Sequence, residues 1–491
     1  MSGIRIALFW SLAERYLLIV LALASNIILA RLLTPEEIGI YSVSLAVIGI
    51  AQVLRDFGLG NFLIQEKNLT DDHVRTAFGL SLLIGVVLCV PTVALAGVIA
   101  QAYGEWRMAQ TLRICALNFV VLPFCTISLA LLRRDMQFRR LTAVTLSAAV
   151  LGFAVTLSTA LLGMGPDSMA IGAVCMNVAT GIGAWLARGG QRLLAPSLRE
   201  WRRLLHFGAH SSAASVVTSV SMDINDLAIG KLLGMAPVAM YSRAQGLVAM
   251  FTREILTAVR NVALPAFARA HREGGALEAQ YVKSTASLAA VGWPFFGFLA
   301  LYPLELVRLM YGTQWDRAAV LVPVLALGGA AYTTACLAYT ALTAVGRIDL
   351  VSRAELLFQP LRAGVVVGAA LAFGTLEACA WAATVMYVAY VPLALHVKGR
   401  AIANDRRALL GGLARTAVAT MLTLALPVAI VGSFGWSRTD PMPPGWFCLA
   451  AASGLLSWPL SLHLVRHPIG IAELAHSALR RFRRPRPLGQ P

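Results

Sequence analysis

Long apolar stretches recur along almost the whole chain, and short polar breaks containing turn-forming residues separate them. The hydrocarbon core of a bilayer, about 30 Å thick, is crossed by about 20 apolar residues in helical form, so each stretch predicts a membrane-spanning α-helix. Breaks such as Thr34-Pro35 mark the helix ends. The pattern predicts fourteen helices, at residues 10–33, 38–63, 77–100, 111–132, 141–163, 168–187, 207–233, 237–264, 282–303, 318–345, 354–374, 376–397, 411–432 and 446–465.

One segment of the chain occurs twice, first at residues 30–65 and again at 230–261. The matching positions are Arg31-Leu32-Leu33 with Lys231-Leu232-Leu233, Tyr41-Ser42 with Tyr241-Ser242, and, with a shift of two residues, Arg55-Asp56 with Arg253-Glu254. Because six predicted helices separate the two copies, both copies must have the same orientation in the membrane. The repeat therefore predicts two parallel six-helix lobes, related by a pseudo-two-fold axis along the membrane normal, with a cavity between them.

The repeat and the breaks together predict the domain organisation. We expect an all-α polytopic membrane protein of about fourteen transmembrane helices, in which two helices follow the second lobe. The predicted parts are an N-terminal lobe at 1–188, a basic cytoplasmic linker at 189–206, a C-terminal lobe at 207–397, helices 13 and 14 within 398–466, and a basic cytoplasmic tail at 467–491.

Composition agrees with a membrane protein and excludes an ordinary soluble one. Of the 491 residues, 58% are hydrophobic and 13% are charged, and the mean hydropathy is +0.72. Roughly a quarter of the residues of soluble domains are charged. The seven cysteines are scattered through apolar segments without CxxC spacing, so they read as small buried hydrophobes rather than as a metal site or a disulfide framework.

The net charge of +17 could indicate a nucleic-acid partner, but the basic residues lie in short breaks between apolar segments. Alternate breaks are basic, at 133–140, 188–203, 269–283, 347–353 and 398–407. Lysine and arginine collect on the cytoplasmic side of such proteins, so this alternation indicates orientation. We expect a multi-pass protein of the bacterial inner membrane with both termini in the cytoplasm, and no nucleic-acid partner.

Charged residues inside the predicted helices are the candidates for function. Each costs about 2.5–3.5 kcal/mol at the bilayer centre on insertion scales, so those that remain usually face a cavity or a partner. The candidates are Glu14, Arg15, Arg55, Asp56, Asp223, Asp226, Lys231, Arg243, Arg253, Glu254, Arg260 and Arg362. Long cations near helix ends can instead extend to the headgroups, an alternative that stays open for Lys231, Arg243 and Arg260.

Arg55 and Arg253 each adjoin an acid, Asp56 and Glu254 respectively. Such a pair could simply hold its helix against a neighbour. It could also form an anion site in which the arginine alternates between the acid and a ligand phosphate. The duplication favours the anion site, because the two cations would then face one another across the predicted cavity.

Two further sets of charges have open interpretations. Asp223 and Asp226 are three residues apart and share a helix face, which suits them to bind a coupling proton or Na⁺. The alternative is that they pair with Lys231 or Arg243. Arg243 and Arg362 are candidate cavity residues.

The chain has none of the motifs that would indicate an enzyme or an ATP-driven pump. It has no GxxxxGK[ST] loop, no HExxH and no GxSxG with catalytic partners. We therefore expect no catalytic residues, no metal and no cofactor.

The segment ARLLTPEEIGIYSVSLAVIGIAQVLRDFGLGNFLIQ, residues 30–65, resembles the opening of the Wzx-type oligosaccharide flippases. These form the polysaccharide transporter family of the multidrug/oligosaccharidyl-lipid/polysaccharide exporter (MOP) superfamily. The resemblance rests on a helix ending in Arg-Leu-Leu, a Thr-Pro-Glu-Glu-x-Gly turn, and Asp-x-Gly-Leu-Gly followed by Leu-Ile-Gln. In hydropathy plan it covers the first twelve helices.

The resemblance implies a function. The substrate would be an oligosaccharide repeat unit joined through pyrophosphate to undecaprenol, moved to the outer leaflet by alternating access for exopolysaccharide, capsule or O-antigen synthesis. By similarity to the related lipid II flippases, the pyrophosphate would be held by Arg15, Arg55 and Arg253, and the last two helices would help form a groove for the lipid tail. A polysaccharide polymerase is a candidate partner.

Two rival functions remain. A cation-coupled antiporter of drugs or other small molecules, built on the same two-lobe plan, would need a cavity dominated by acids, and Arg15, Arg55 and Arg253 argue against it. A membrane glycosyltransferase or polymerase would need a large periplasmic loop or a catalytic domain, which the apolar pattern leaves no room for.

Overall fold

The computed structural model describes residues 2–55, 59–189, 195–202, 204, 220–221, 223–436 and 440–468. Within these ranges the side chains of residues 2–9, 11–12, 53–55 and 61 lie outside the description. The described part of the chain is helical and contains no β-strand. This agrees with the predicted all-α class.

The helices follow the apolar segments in chain order. They are α1 (Ser2–Leu32), α2 (Pro35–Arg55), α3 (Leu59–Gln65), α4 (Asp71–Tyr103), α5 (Arg107–Ala116), α6 (Asn118–Arg134), α7 (Phe138–Leu161), α8 (Pro166–Ala187), α9 (223–233), α10 (Met235–Met250), α11 (Thr257–Arg272), α12 (Leu277–Leu301), α13 (Pro303–Met310), α14 (Asp316–Thr333), α15 (Ala338–Ala344), α16 (Ile348–Phe373), α17 (Leu376–Gly399), α18 (Arg406–Phe434) and α19 (Pro444–Leu464). A π-helical turn, Phe251–Leu256, joins α10 to α11.

Eleven helical segments among the described residues are long and apolar enough to cross a membrane. The predicted helices at 38–63, 207–233 and 237–264 are not among them. The first two of these segments include residues outside the described ranges, 56–58 in one and 207–219 with 222 in the other, and the third contains Arg243, Arg253, Glu254 and Arg260, which lower its hydropathy. The total of fourteen membrane helices therefore stays a prediction.

Some predicted helices are divided in the structure. The segment predicted at 318–345 forms α14 and α15 with a turn between them. At this break the hydroxyl groups of Thr333 and Thr334 donate to the carbonyls of Ala330 and Ala331, at 2.7 Å each. Threonine hydroxyls that bond to nearby carbonyls compete with regular backbone bonding, which accounts for the break.

Local sequence explains how α2 begins. Thr34 is the N-cap, and its hydroxyl accepts from the Glu37 backbone N–H at 3.3 Å, while the Glu37 carboxylate accepts from the Thr34 backbone N–H at 2.8 Å. This reciprocal pair is a capping box, and Pro35 follows at the first helical position, where its missing N–H costs nothing. Nearby, the Gln314 side chain donates to the Ala30 and Leu33 carbonyls at the end of α1.

The chain divides into two compact units. The first comprises Met1–Met240, Met310–Gln314 and Gln359–Leu376, and the second comprises Tyr241–Leu309, Trp315–Phe358 and Glu377–Pro491. In the first unit, α3, α4 and α6 enclose a core around Phe62 and Phe78. In the second, Tyr302 packs against Ile430 of α18, and its hydroxyl donates to the Pro427 carbonyl at 2.7 Å. The lobe boundaries at 188 and 207 stay predictions.

Within the first unit the two copies of the repeat meet. A Cβ added to Gly39, in the first copy, would lie 1.9 Å from the carbonyl oxygen of Met235, at the start of the second copy. No side chain fits at that distance. Close packing of this kind, made possible by small residues, is a main source of helix association in lipid.

Candidate functional site

Arg253 lies in the π-helical turn Phe251–Leu256, where the backbone departs from regular α geometry. Its side chain is exposed and makes no ion pair with any described residue, and the neighbouring Glu254 is half-buried. π-Helical turns are rare and occur frequently at functional sites. The structure thus presents Arg253 on an irregular piece of backbone rather than locked to the acid beside it.

The matching arginine of the first copy is Arg55, the last residue of α2. The structure places its backbone at this helix end, but its side chain lies outside the description. Asp56, the predicted partner of Arg55, lies outside the described residues.

Arg15 is half-buried in α1, next to an acid with clear partners. The carboxylate of Glu14 accepts hydrogen bonds from two hydroxyls of α7, Thr145 at 2.7 Å and Thr142 at 3.1 Å. Neutral hydroxyl groups therefore supply hydrogen bonds to the Glu14 carboxylate, and these bonds hold α1 against α7. This contact sets the position of Arg15 in the first unit.

Asp223 and Asp226 are half-buried on α9, and neither forms an ion pair with a described residue. A Cβ on Gly49 of α2 would lie 2.5 Å from a carboxylate oxygen of Asp223, so α2 and α9 approach closely at that point. The ammonium group of Lys231 instead donates to the carbonyl of Ala102, in the last turn of α4. The described contacts thus show neither aspartate paired with Lys231.

The two candidate cavity arginines are both buried within their own units. The guanidinium group of Arg243 lies 5.2 Å from the centre of the Trp315 ring, and the residue is 8% exposed. Arg362 is 2% exposed, and its Nε donates to the Gln359 side chain at 3.2 Å. Their contacts with these neighbours account for part of the cost of burying the charges.

A further cluster in the second unit was not predicted. The Arg260 guanidinium donates to the Tyr332 hydroxyl at 3.1 Å and to the Cys336 carbonyl at 3.4 Å. Tyr332 in turn packs on Tyr387 and Tyr390, at ring-centre distances of 5.6 and 5.2 Å. Arg260 thus points into a tyrosine-rich interior instead of extending to the headgroups. The recurrence of tyrosine at 332, 339, 387 and 390 is the signal that could have indicated it.

An apolar groove of about 390 Å³ follows α12, α18 and α19 in the second unit. Phe295, Phe298, Leu424, Leu455 and Trp458 supply most of its walls. A groove of this composition at membrane depth suits a hydrocarbon chain.

Residues 28–320 match the model of a family described as polysaccharide biosynthesis protein. The chain belongs to this family. The matched residues include both copies of the repeat together with Arg55, Asp223, Asp226 and Arg253, whereas Arg15 and Arg362 lie outside them.

Three proteins similar to this chain have names that refer to the biosynthesis or transport of a polysaccharide. The lipopolysaccharide biosynthesis protein WzxC of Escherichia coli (strain K12) is 26% identical over 331 residues, which cover 65% of this chain and 64% of WzxC, less than two thirds of its length. The teichuronic acid biosynthesis protein TuaB of Bacillus subtilis (strain 168) is 26% identical over 69% of this chain and 70% of its own. The succinoglycan biosynthesis transport protein ExoT of Rhizobium meliloti (strain 1021) is 25% identical over 71% and 70%.

Solved structures show the fold. The lipid II flippase MurJ, in an inward closed conformation, matches with a TM-score of 0.75 and 12% identity, over 93% of this chain and 98% of MurJ. An inward-facing multidrug transporter of the MATE family and MOP superfamily matches with a TM-score of 0.61 and 15% identity, over 82% and 94%. The predicted MOP-type, all-helical membrane fold is confirmed.

Proposed function

We propose that this protein is a flippase that moves undecaprenyl-pyrophosphate-linked oligosaccharide repeat units across the bacterial inner membrane by alternating access. The family match over residues 28–320 carries the proposal. The exposed Arg253 supports it, since a cation without an acidic partner among the described residues is suited to a pyrophosphate. The protein would act as a transporter and not as an enzyme, with both termini in the cytoplasm.

The physical role of the arginines is to lower the barrier for the charged headgroup. A pyrophosphate cannot cross hydrocarbon unaided, and cations within the protein replace part of its hydration. An inside-negative membrane potential also favours outward movement of negative charge, by roughly 2.3 kcal/mol per charge per 100 mV. Arg15, Arg55 and Arg253 are the residues proposed to hold the pyrophosphate, and the groove along α12, α18 and α19 is suited to the polyprenyl tail.

Transport in proteoliposomes tests the proposal. A fluorescent undecaprenyl-pyrophosphate oligosaccharide is reconstituted with the protein, and a membrane-impermeant quencher measures how fast it changes leaflet. We expect Arg253→Ala and Arg55→Ala each to slow flipping at least about tenfold, which equals about 1.4 kcal/mol of barrier, and Arg253→Lys to recover part of the rate.

Arg269→Ala is the matched control. Arg269 lies on the neighbouring α11, where it pairs on the surface with Glu273 at 2.8 Å, and its loss should leave the rate unchanged. Normal flipping by both the Arg55 and Arg253 variants would refute the site. A wild-type protein that leaves the labelled lipid in place but exports cationic dyes would establish the drug-antiporter alternative.

We further propose that Asp223 and Asp226 couple transport to a proton or Na⁺. Their half-buried carboxylates, without ion pairs among the described residues, are the support. Flipping is measured with and without imposed proton and Na⁺ gradients in wild type, Asp223→Asn and Asp226→Asn. A gradient dependence that is the same in all three proteins would refute the coupling role.

A polysaccharide polymerase is the proposed protein partner. If flipping supplies a polymerase directly, affinity purification of the tagged protein from its native membrane should recover that polymerase. Its absence after mild cross-linking would contradict the partnership but leave the flipping activity untouched.

A further inference from the structure

A basic pocket of about 1090 Å³ lies between α12 and α18, entirely within the second unit. Four cations line it: Lys283, Arg406, Arg407 and Arg415. All four are exposed, and none makes an ion pair with a described residue. We refer to it below as the α12/α18 pocket.

The acids that line the same pocket already have partners. The Glu278 carboxylate binds the ammonium group of the buried Lys398 and also accepts from the Asp405 backbone N–H at 3.0 Å. The Asp405 carboxylate caps α18 by accepting from the Ala408 backbone N–H at 2.9 Å. The pocket therefore retains an uncompensated positive charge.

One local feature increases the positive potential. Arg406 and Arg407 occupy the first turn of α18, which contains no acid, so their charges add to the positive end of the helix dipole. His467, next in sequence to the lining residue Pro468, adds no charge at neutral pH, because burial and then the nearby charge of Arg415 lower its pKa below the ordinary 6.5. The pocket therefore carries positive charge that an anion would balance.

The position of the pocket defines the kind of anion. It lies where two candidate membrane spans, Leu277–Leu301 and Arg406–Phe434, begin, and thus at the level of lipid headgroups. The alternation of basic breaks predicts that this end faces the cytoplasm. Basic pockets between transmembrane helices on the cytoplasmic side are typical binding sites for the headgroups of anionic lipids.

The chain itself is an unsuitable occupant. Pro468 borders the pocket, and the sequence that follows, 469–491, contains five arginines and a single acid, Glu473. That segment would add positive charge instead of neutralising it.

A comparable pocket in the first unit is less suited to an anion. It measures about 830 Å³, and it is lined by three cations, Lys67, Arg134 and Arg188, and by two acids, Asp71 and Asp135. Arg134 donates to backbone carbonyls of Leu63 and Glu66, at 2.7 and 2.6 Å. Burial lowers the pKa of Arg188, and the charge of nearby Asp135 partly offsets this effect. Two of its three cations are thus engaged by the protein, whereas the four cations of the α12/α18 pocket make no ion pair with a described residue.

We propose that the α12/α18 pocket binds the phosphodiester headgroup of an anionic glycerophospholipid from the cytoplasmic leaflet. The site shares no residue with the proposed substrate arginines, and the proposal does not depend on the flippase function. Lys283 and Arg415 contact the phosphate from the two helix faces, and Arg406 and Arg407 from the start of α18. The small side chains of Ala286, Gly411 and Gly412 leave room for the glycerol.

Native mass spectrometry of the delipidated full-length protein tests this proposal. The protein is titrated with phosphatidylglycerol or with zwitterionic phosphatidylcholine. We expect wild type to bind phosphatidylglycerol at least about tenfold more tightly. The double variant Arg407→Gln/Arg415→Gln should lose about thirtyfold in affinity, since each cation near an anionic lipid surface contributes about a factor of five.

The control is Arg133→Gln/Arg139→Gln, which removes two exposed cations of the first unit and should retain wild-type binding. Equal affinity for the two lipids, or an equal loss in both double variants, would overturn the site. A competition arm with undecaprenyl phosphate separates the two lipid sources. Displacement of phosphatidylglycerol from wild type at equimolar undecaprenyl phosphate would assign the pocket to the substrate lipid and overturn the proposal.

Discussion

The two copies of the repeated segment have the same apolar plan but differ in their local structure. In the first copy, α2 begins with the capping box of Thr34 and Glu37 and ends at Arg55. In the second copy, the sequence at 234–237 is Gly-Met-Ala-Pro, which offers no capping side chain. Helical structure there continues from Met235 through the π-helical turn to Arg272.

The difference shows that the two copies share an arginine but not the backbone geometry that carries it. The first arginine stands at a helix end, and the second stands in a π-helical turn within a long helical stretch. Because π geometry uses more residues per turn than an α-helix, the second copy holds Arg253 in a direction that a regular helix would not give it.

The largest effect is expected from removing the π-helical turn. Deletion of Thr252 should allow α10 and α11 to join as a regular helix, with both flanking helices kept in register. Arg253 would then turn around the helix axis by part of the roughly 100° that separates successive residues of an α-helix. We expect folded yield to be retained while flipping in proteoliposomes falls at least about tenfold.

A deletion in regular α-helix provides the control for this variant. Removal of Ala289, a buried residue in the middle of α12, shifts the register of every following residue of that helix and should abolish folded protein in size-exclusion chromatography. Unchanged transport after deletion of Thr252 would show that the π-helical turn has no part in function.

The contact between the two copies should give the largest loss of stability. Gly39→Val places side-chain atoms against the Met235 carbonyl, a backbone group that cannot move aside. Overpacking of this kind costs about 3 kcal/mol or more, and thermal unfolding in detergent should show it. Gly97→Val on α4, where an added Cβ meets no atom within 4 Å, should unfold like wild type. Equal unfolding temperatures for both variants would contradict the close approach.

The capping box should contribute less to the free energy of unfolding than the Gly39 contact, and it stabilises only the first copy. Thr34→Ala removes the hydroxyl that bonds to the Glu37 backbone, which typically costs about 1 kcal/mol. Chemical unfolding followed by tryptophan fluorescence measures the change. Thr180→Ala, which removes an exposed hydroxyl bonded within its own helix, is the control, and an equal loss in the two variants would argue against a capping role.

The smallest effect concerns Arg107, which bonds to Glu105 at 3.0 Å and to Glu36 of the first copy at 3.1 Å. The hydrogen bond from Arg107 lowers the pKa of Glu105 below its ordinary 4.5. A carboxylate whose pKa is lower in the folded than in the unfolded state stabilises the protein above its unfolded pKa. This contribution is lost as the pH falls through the folded pKa.

Arg107→Ala should therefore lower stability by about 0.5 kcal/mol at pH 7. At pH 3, where Glu105 is protonated in more of the molecules, the difference from wild type should shrink. Unfolding curves at both pH values measure it. A difference that grows on acidification would contradict this assignment.

Sequence predicted the class of fold because apolar length alone determines which segments can span a bilayer. The start of α2 was also predictable, because the residues Thr34 and Pro35 themselves favour the end of one helix and the beginning of the next. The π-helical turn was not, because the hydropathy of residues 251–256 does not depend on which carbonyl each N–H bonds to. Long-range contacts were equally hidden: Gln314 and Ala30 are 284 residues apart.

The candidate site was predictable in its residue types more than in its contacts. Charge within apolar helices identified Arg253, Asp223 and Asp226 as unusual, and the structure finds them without ion pairs among the described residues. The same reasoning gave no means of separating Arg260, which bonds to Tyr332, from an arginine that extends to the headgroups. Of the cations of the α12/α18 pocket, Lys283, Arg406 and Arg407 were interpreted only as orientation signals and Arg415 was not singled out, because their convergence on one pocket requires α12 and α18 to be neighbours.

Lys398 offers a way to follow the folded state by chemical labelling. The chain has four lysines, and this one is fully buried, with its ammonium group 4.1 Å from the centre of the Tyr281 ring and bound to Glu278. An amine-reactive reagent should spare Lys398 in the native protein and modify it once α12 and α17 separate. The extent of modification at this single residue therefore reports the integrity of the second unit inside intact membranes.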